Sequence, residues 1–238
     1  MRILALDSSG LVASVALMED DVMIAEYNIQ YKKTHSQTLL PMMDEIKKMV
    51  DLDLAAVDAV ALAAGPGSFT GLRIGSATAK GLGQALNIPL VEVPTLEGLA
   101  YNMYGFQGYI CPIMDARRGQ VYTGVYEFEK MQDRYMLRTV KEQCAVPIEE
   151  IAEILNDLEN EVIFLGDGVP VFKERLQELM KVPYRFAPAH MNRQRAASVA
   201  ALGGVYYRSG KTVPAAGHVP IYLRLSQAER ERKEKGLC

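Results

Sequence analysis

The stretch "AGPGSFTGLRIG", residues 64–75, joins a short apolar run to an amphipathic one and carries Gly65, Gly67, Gly71 and Gly75, with Arg73 among them. A glycine-rich turn between strand and helix often cradles a phosphate, because unpaired backbone amides and the helix dipole attract anions. Three phosphate-loop templates test that reading. The Walker pattern G-x-x-x-x-G-K-[ST] needs a lysine after its last glycine, but Gly71 is followed by Leu72 and preceded at the required distance by Pro66. The dinucleotide fingerprint G-x-G-x-x-G matches Gly65 and Gly67, then meets Thr70 in place of the third glycine. The protein-kinase loop has the same spacing and fails in the same place. What remains is a strand-to-helix turn with Gly-Pro-Gly at its apex.

The helix it opens is unusual. Gly71, Gly75, Ala79 and Gly83 recur every fourth residue and line up small side chains along one face. Glycine inside a helix costs ~1 kcal/mol relative to alanine, so the stripe calls for close packing on the chain's own sheet, against another protein, or against a ligand. Arg73, on the first turn, is placed to meet an anion there.

Before this loop, "ILALDSS", "VASVALMED" and "VMIAEYNIQ" read as three strands joined by tight turns, an antiparallel meander. In "THSQTLLPMMDEIKKMV" the period becomes helical, with Leu39, Leu40, Met43, Ile46, Met49 and Val50 on one side. Thr34 or Ser36 would cap that helix, and Pro41 is tolerated only near its first turn. "AAVDAVALAAG" is a buried strand, "GLRIGSATAKGLGQALN" a helix stopped by Asn87 and Pro89, and "PLVEVP" a strand. Three strands and then helix–strand–helix–strand is the order of a ribonuclease-H-like lobe, the unit of actin, Hsp70 chaperones and sugar kinases; that step is analogy.

After a glycine- and tyrosine-rich boundary at "YNMYGFQGY", the theme returns loosely. "YICPIMDA" and "QVYTGVYEFE" pair around "ARRG", and "IEEIAEILN", "EVIFLGDG", "PVFKERLQELM" and "RAASVAALGGVYYRSG" give helix, strand, helix, helix. The expectation is an α/β protein of two ribonuclease-H-like lobes, residues 1–104 and 105–238. The second is degenerate, and its C-terminal tail packs back on the first.

Residues 1–101 hold 7 Lys/Arg and 12 Asp/Glu, and the remainder 19 and 17. A surface that grips nucleic acid unaided clusters positive charge, because phosphate neutralisation supplies most of the affinity. The acidic first half lacks such a cluster, and the tail "RERKEK", 230–235, alternates both signs and reads as a solvated end. No apolar run approaches the ~20 residues of a membrane span, and "MRILALDSS" reads as a first strand rather than a signal peptide. Cys111, Cys144 and Cys238 are odd in number and far apart, which argues for a reducing, cytoplasmic setting.

"AGPGSFTGLRIG" resembles the signature of the bacterial TsaB family. The resemblance extends through "LALDSS" (4–9), "HSQTLLPMM" (35–43), "PTLEGLA" (94–100), "MDARRGQVYTGVY" (114–126), "FLGDG" (164–168) and "PIYLRLSQAE" (220–229), nearly the whole chain. It implies a degenerate relative of TsaD, the subunit that transfers threonylcarbamoyl from its adenylate to an adenosine beside the tRNA anticodon. The implied role is to bind and support TsaD, together with the ATPase TsaE. It further implies self-association when alone and contact with tRNA only through the complex. TsaD-type proteins carry His-Leu-Glu-Gly-His, whose two histidines share a helical face and hold a metal. The aligned residues here are Thr95, Leu96, Glu97, Gly98 and Leu99, so Thr95 and Leu99 replace both ligands. The resemblance therefore implies no enzyme activity, no metal and no intrinsic cofactor, with a nucleotide possible at the TsaD interface.

The candidate docking surface comprises Leu39, Met42, Met43 and Ile46 of the first helix and Leu72, Gly75, Ala79 and Leu82 of the glycine-rich one. Methionine adapts to irregular surfaces and suits either a core or a partner contact. The candidate nucleotide contacts are Asp7, in the "Asp-Ser-Ser" turn, and Gly166, Asp167 and Gly168 of "LGDG". For Asp7, hydrogen bonding within its own turn is the competing role. His35, His190 and His218 have no second histidine at ligand spacing. A hydrolase built from Ser68, His35 and Asp7 lacks a G-x-S-x-G elbow. The alternative function is an autonomous nucleotide-dependent enzyme of the actin-like superfamily.

Overall fold

A computed structural model describes residues 1–31 and 33–224. The "RERKEK" run and the end of "PIYLRLSQAE" lie outside the described residues.

The first sheet is built from β1 (Arg2–Asp7), β2 (Ala13–Glu19), β3 (Val22–Ile29), β4 (Ala59–Ala63) and β5 (Leu90–Val93), in the order β3-β2-β1-β4-β5. β1, β2 and β3 pair antiparallel, and β4 and β5 add in parallel. Side chains alternate between its two faces, as the period of a strand requires. Ile3, Ala5, Ala59, Ala61 and Ala63 enter one core cluster, while Leu4, Leu6, Val60 and Leu62 enter the clusters on the opposite face. That opposite face is covered by α1 (His35–Met49) and α2 (Phe69–Leu86).

The second sheet comprises β6 (Tyr109–Asp115), β7 (Gln120–Met131), β8 (Arg134–Pro147), β9 (Val162–Leu165) and β10 (Tyr184–Phe186), in the order β10-β9-β6-β7-β8. Read from β6, this is the first sheet's topology strand for strand: an antiparallel meander followed by two parallel strands. α4 (Ile148–Asp157) and α5 (Val169–Leu179) cover its outer face around Phe164 and Ile151. The second lobe is thus not degenerate in its sheet. β8, which the sequence reading leaves unassigned, has no fully buried residue: exposed and half-buried positions alternate over Arg134–Thr139, and half-buried ones predominate after that.

The division at 104/105 separates the sheets but not the helices. α3 (Thr95–Ala100) belongs to the first half, yet Leu96, Leu99 and Ala100 pack with Ile110, Met114, Tyr126, Ile163 and Leu165 of the second sheet. α6 (Ala196–Arg208) makes the reciprocal move: Ala196, Val199, Ala200 and Leu202 join Ile3, Ala5, Ala61 and Val93 on the first sheet. The segment after α6 also returns to the first lobe, where Val213 bridges to Leu90. Among the described residues, α6 and Val213 beyond it therefore lie with the first sheet.

Two local details differ from expectation. Thr34 precedes α1 without a side-chain capping bond, and Pro41 lies in the second turn. Pro41 is exposed, so the backbone acceptor it leaves unpaired faces water. α2 ends as anticipated at Asn87, in the left-handed conformation that asparagine tolerates.

Candidate functional site

A cleft of about 730 Å³ lies between the lobes. One wall is the glycine-rich turn and the start of α2 (Gly67 to Gly71), with His35 from α1. The other holds Asp115, Arg117 and Asp167 from the ends of β6 and β9.

The glycines of the turn are consumed by the chain itself. A β-carbon at Gly67 would stand 2.3 Å from the Ser9 carbonyl oxygen, and one at Gly75 would stand 2.4 Å from Ser8 Oγ. Gly65, at φ +117°, has the Ile221 carbonyl oxygen 2.2 Å from the place its β-carbon would take. Further along α2, Ala79 is fully buried among Leu6, Leu62 and Leu90, and Gly83 lies against Ala215. The stripe is packing surface for the "Asp-Ser-Ser" turn and the first sheet. Ser68 caps the helix by accepting from the Gly71 amide, and Arg73 Cζ lies over the Phe69 ring, 4.0 Å from its centroid.

This placement corrects the proposed docking residues. Leu39, Met42, Met43, Ile46, Leu72, Gly75 and Ala79 are all buried within this chain, and Leu82 is half-buried against the α1 core cluster. The residues α2 turns outward are Thr70, Arg73, Ala77, Gly81, Gln84 and Ala85, and on α1 Leu40 and Met49 are exposed. Gly81 has nothing within 4 Å of where a β-carbon would sit.

The nucleotide candidates do not assemble as a set. Asp7 is buried, and its Oδ1 accepts from the Ser9 amide (2.8 Å) and the Ser9 hydroxyl (2.6 Å). Burial pushes its carboxyl above the ordinary range, with the Ser9 hydrogen bonds pulling partly back. Gly166 and Gly168 press on β6: β-carbons there would meet the Ile113 carbonyl oxygen at 2.1 Å and Ile113 Cγ2 at 2.7 Å. Of the four residues only Asp167 lines the cleft. Its carboxyl is also raised by burial, against the pull of Arg193 and of the Asp115 and Leu11 backbones, and its Oδ1 has no hydrogen-bond partner. The donor set expected of a nucleotide site therefore does not fit.

Thr95 and Leu99 serve packing. Thr95 is fully buried, and its hydroxyl accepts from the Gly65 amide at 3.1 Å while its own amide donates to the Gly65 carbonyl. Leu99 is in the second-lobe core. Glu97, between them, accepts from the Tyr206 hydroxyl, and burial raises its carboxyl. Among the described residues no group of three His, Cys, Asp or Glu side chains is placed to hold a metal.

Other polar groups have no local sequence signal. Gln194 is buried against Gly10 with both amide atoms unpaired. His35 binds the Gly10 carbonyl at 2.9 Å through Nε2, so that nitrogen carries the proton. His190 is exposed. His218 bridges Ser76 Oγ at 2.8 Å and Glu92 Oε1 at 2.5 Å. Ser76, His218 and Glu92 have the order of a hydrolase triad, but Ser76 sits mid-helix, where neighbouring amides are committed to helix bonds and cannot form an oxyanion hole. Among the described residues no helix is long and apolar enough to cross a membrane.

A family model described as tRNA N6-adenosine threonylcarbamoyltransferase matches residues 24–232. The tRNA threonylcarbamoyladenosine biosynthesis protein TsaB of Bacillus subtilis is 35% identical, with 96% of each chain covered. The Escherichia coli protein of that name is 28% identical over 94% of this chain and 95% of its own. The solved structure of YeaZ from Pseudomonas aeruginosa superposes with a TM-score of 0.78 at 30% identity, covering 93% of this chain and 99% of that one. With motifs, lobes and full-length similarity agreeing, this chain belongs to the TsaB family of tRNA threonylcarbamoyladenosine biosynthesis proteins.

Proposed function

We propose that this chain is a non-catalytic, cytoplasmic subunit of the machinery that makes N6-threonylcarbamoyladenosine in tRNA, docking TsaD and supporting its action with the ATPase TsaE. The observation that carries the docking reading is Gly81. A glycine inside a helix weakens it by ~1 kcal/mol relative to alanine unless something must come close. Gly75 and Gly83 are explained by close contacts inside the chain; Gly81, exposed and without a neighbour, is not. With Ala77 one turn earlier it leaves a shallow place on α2, bordered by Arg73 and Gln84, into which a partner's helix fits. The exposed Leu40 and Met49 of α1 supply apolar contact beside it. The buried residues first proposed for docking hold these two helices on the sheet, so their part is indirect.

The non-catalytic reading is supported by Thr95 and Leu99, whose side chains are committed to a buried hydrogen bond and to the core. Contact with tRNA through the complex agrees with the acidic first half. Self-association when alone would use the same open face of α2.

Reconstitution tests this reading. Threonylcarbamoyl transfer to tRNA is measured with TsaD and TsaE held constant, with and without this chain, and with Gly81→Gln. Transfer should depend on the chain and fall with Gly81→Gln in parallel with TsaD affinity by calorimetry. Full TsaD binding by a folded Gly81→Gln variant would remove the docking assignment. ATP turnover by the chain alone, abolished by Asp7→Ala, would replace the whole reading with an autonomous enzyme.

A further inference from the structure

The segment that follows α6 crosses the molecule at the level of the cleft. At one end His218 is buried, with both ring nitrogens engaged, Nε2 with Ser76 Oγ of α2 and Nδ1 with Glu92 Oε1 of β5. Its carbonyl accepts from Lys80 Nζ at 3.0 Å. Three residues on, the Ile221 amide donates to the Ala64 carbonyl at 2.7 Å, and the Ile221 carbonyl sits against Gly65. Tyr222 stacks on Phe69 at 4.8 Å. Arg224 then reaches the second lobe, where Nη1 donates to the Ala116 carbonyl at 2.5 Å and to the Arg117 carbonyl at 3.3 Å.

Between these anchors the segment is open. Val219 and Tyr222 are exposed and Pro220, Ile221 and Leu223 only half-buried, so little apolar area secures it. A stretch held by a few polar anchors, with few buried apolar contacts, opens locally at a free energy well below that of global unfolding. Ile221, Tyr222, Leu223 and Arg224 all line the cleft. Opening would therefore remove one wall of the cleft and its tie between the lobes.

We propose that residues 218–224 form a strap, latched to the first lobe by Ser76, His218 and Glu92 and hooked to the second by Arg224, that sets the separation of the lobes and releases as a unit. The Ser–His–Glu constellation is on this account a fastening. It satisfies a buried imidazole on both sides, and losing either partner leaves a buried polar atom unpaired. The inference does not depend on the docking face of α2.

Interlobe distance and local opening test it on the full chain. Spin labels at Gln37→Cys on α1 and Glu174→Cys on α5, both exposed positions, report the separation in a Cys144→Ser, Cys238→Ser background. Cys111 remains, because burial pushes its thiol up to about 12 and keeps it unreactive. His218→Ala and Arg224→Ala should each widen or lengthen the distance distribution. His218→Ala should also speed exchange of the Ile221 amide about tenfold or more while β4 and α2 amides keep their protection. If His218→Ala does not fold, Ser76→Ala and Arg224→Ala carry the same readings, since both retain the His218–Glu92 bond. An unchanged distribution in the folded variants overturns the strap. Faster exchange throughout the first lobe overturns it as well, by making His218 an ordinary core residue.

Discussion

Ser8 and Gly71 meet closely: the Ser8 hydroxyl donates to the Gly71 carbonyl at 2.9 Å, and a β-carbon on Gly71 would lie 2.0 Å from the Ser8 carbonyl oxygen. This contact seats the first turn of α2 on the turn between β1 and β2, and it explains glycine where helix propensity prefers alanine. Gly71→Ala should destabilise the protein by about 2 kcal/mol or more, because the clash is with backbone and exceeds the ~1 kcal/mol propensity gain. Gly75→Leu and Ala79→Leu should prevent folding altogether. Chemical denaturation of the three variants is the check.

Gly81 predicts the opposite sign. Its β-carbon position is empty, so Gly81→Ala should stabilise the isolated chain by about 0.5–1 kcal/mol. The same change should weaken TsaD binding, and Gly81→Gln should weaken it further. Thermal melts and calorimetry on the same preparations separate the two effects.

Thr95 tests the buried tie to the glycine turn. Thr95→Val keeps the shape but leaves the Gly65 amide without its side-chain acceptor. A loss of about 1–3 kcal/mol follows from an unsatisfied buried donor. Thr95→Ser should recover most of it, as denaturant midpoints will reveal.

Asp7 has a pH signature. Its carboxyl is raised in the folded state by burial, so folding favours the protonated form. That contribution is complete below the ordinary carboxylate pKa of the unfolded chain and is lost as pH rises through the higher folded value. At neutral pH the ionised, buried carboxylate therefore opposes folding. Asp7→Asn keeps an acceptor for Ser9 without the charge and should raise Tm at pH 7. The advantage over the parent should shrink as pH falls toward 4, which a series of melts across that range would follow.

Strand-to-helix succession in the first half was legible because its elements are buried on one or two faces and show a clear period. β8 was not, since none of its residues is fully buried and its half-buried positions mix Tyr135 and Leu137 with Thr139, Lys141 and Gln143. β10, three residues long, is shorter than any periodic signal. Among the site residues, the failure of Gly65, Gly67 and Gly71 to match a phosphate template was readable at once. The identity of what they pack against was not, because Ser8, Ser9 and Ile221 come from remote parts of the chain.

The sequence by itself therefore determined the α/β class, the meander and its following helices, the family, and the presence of a helix that demands close packing. Only the tertiary structure decided which face of that helix the chain uses for itself. A four-residue repeat defines a stripe but not its neighbour, and a second, outward column of Ala77 and Gly81 lies on the same helix. It also decided the exchange of α3 and α6 between lobes and the meeting of Ser76 with His218, 142 residues apart. Such contacts arise from how complementary surfaces close on one another, a property that no local pattern of residues contains.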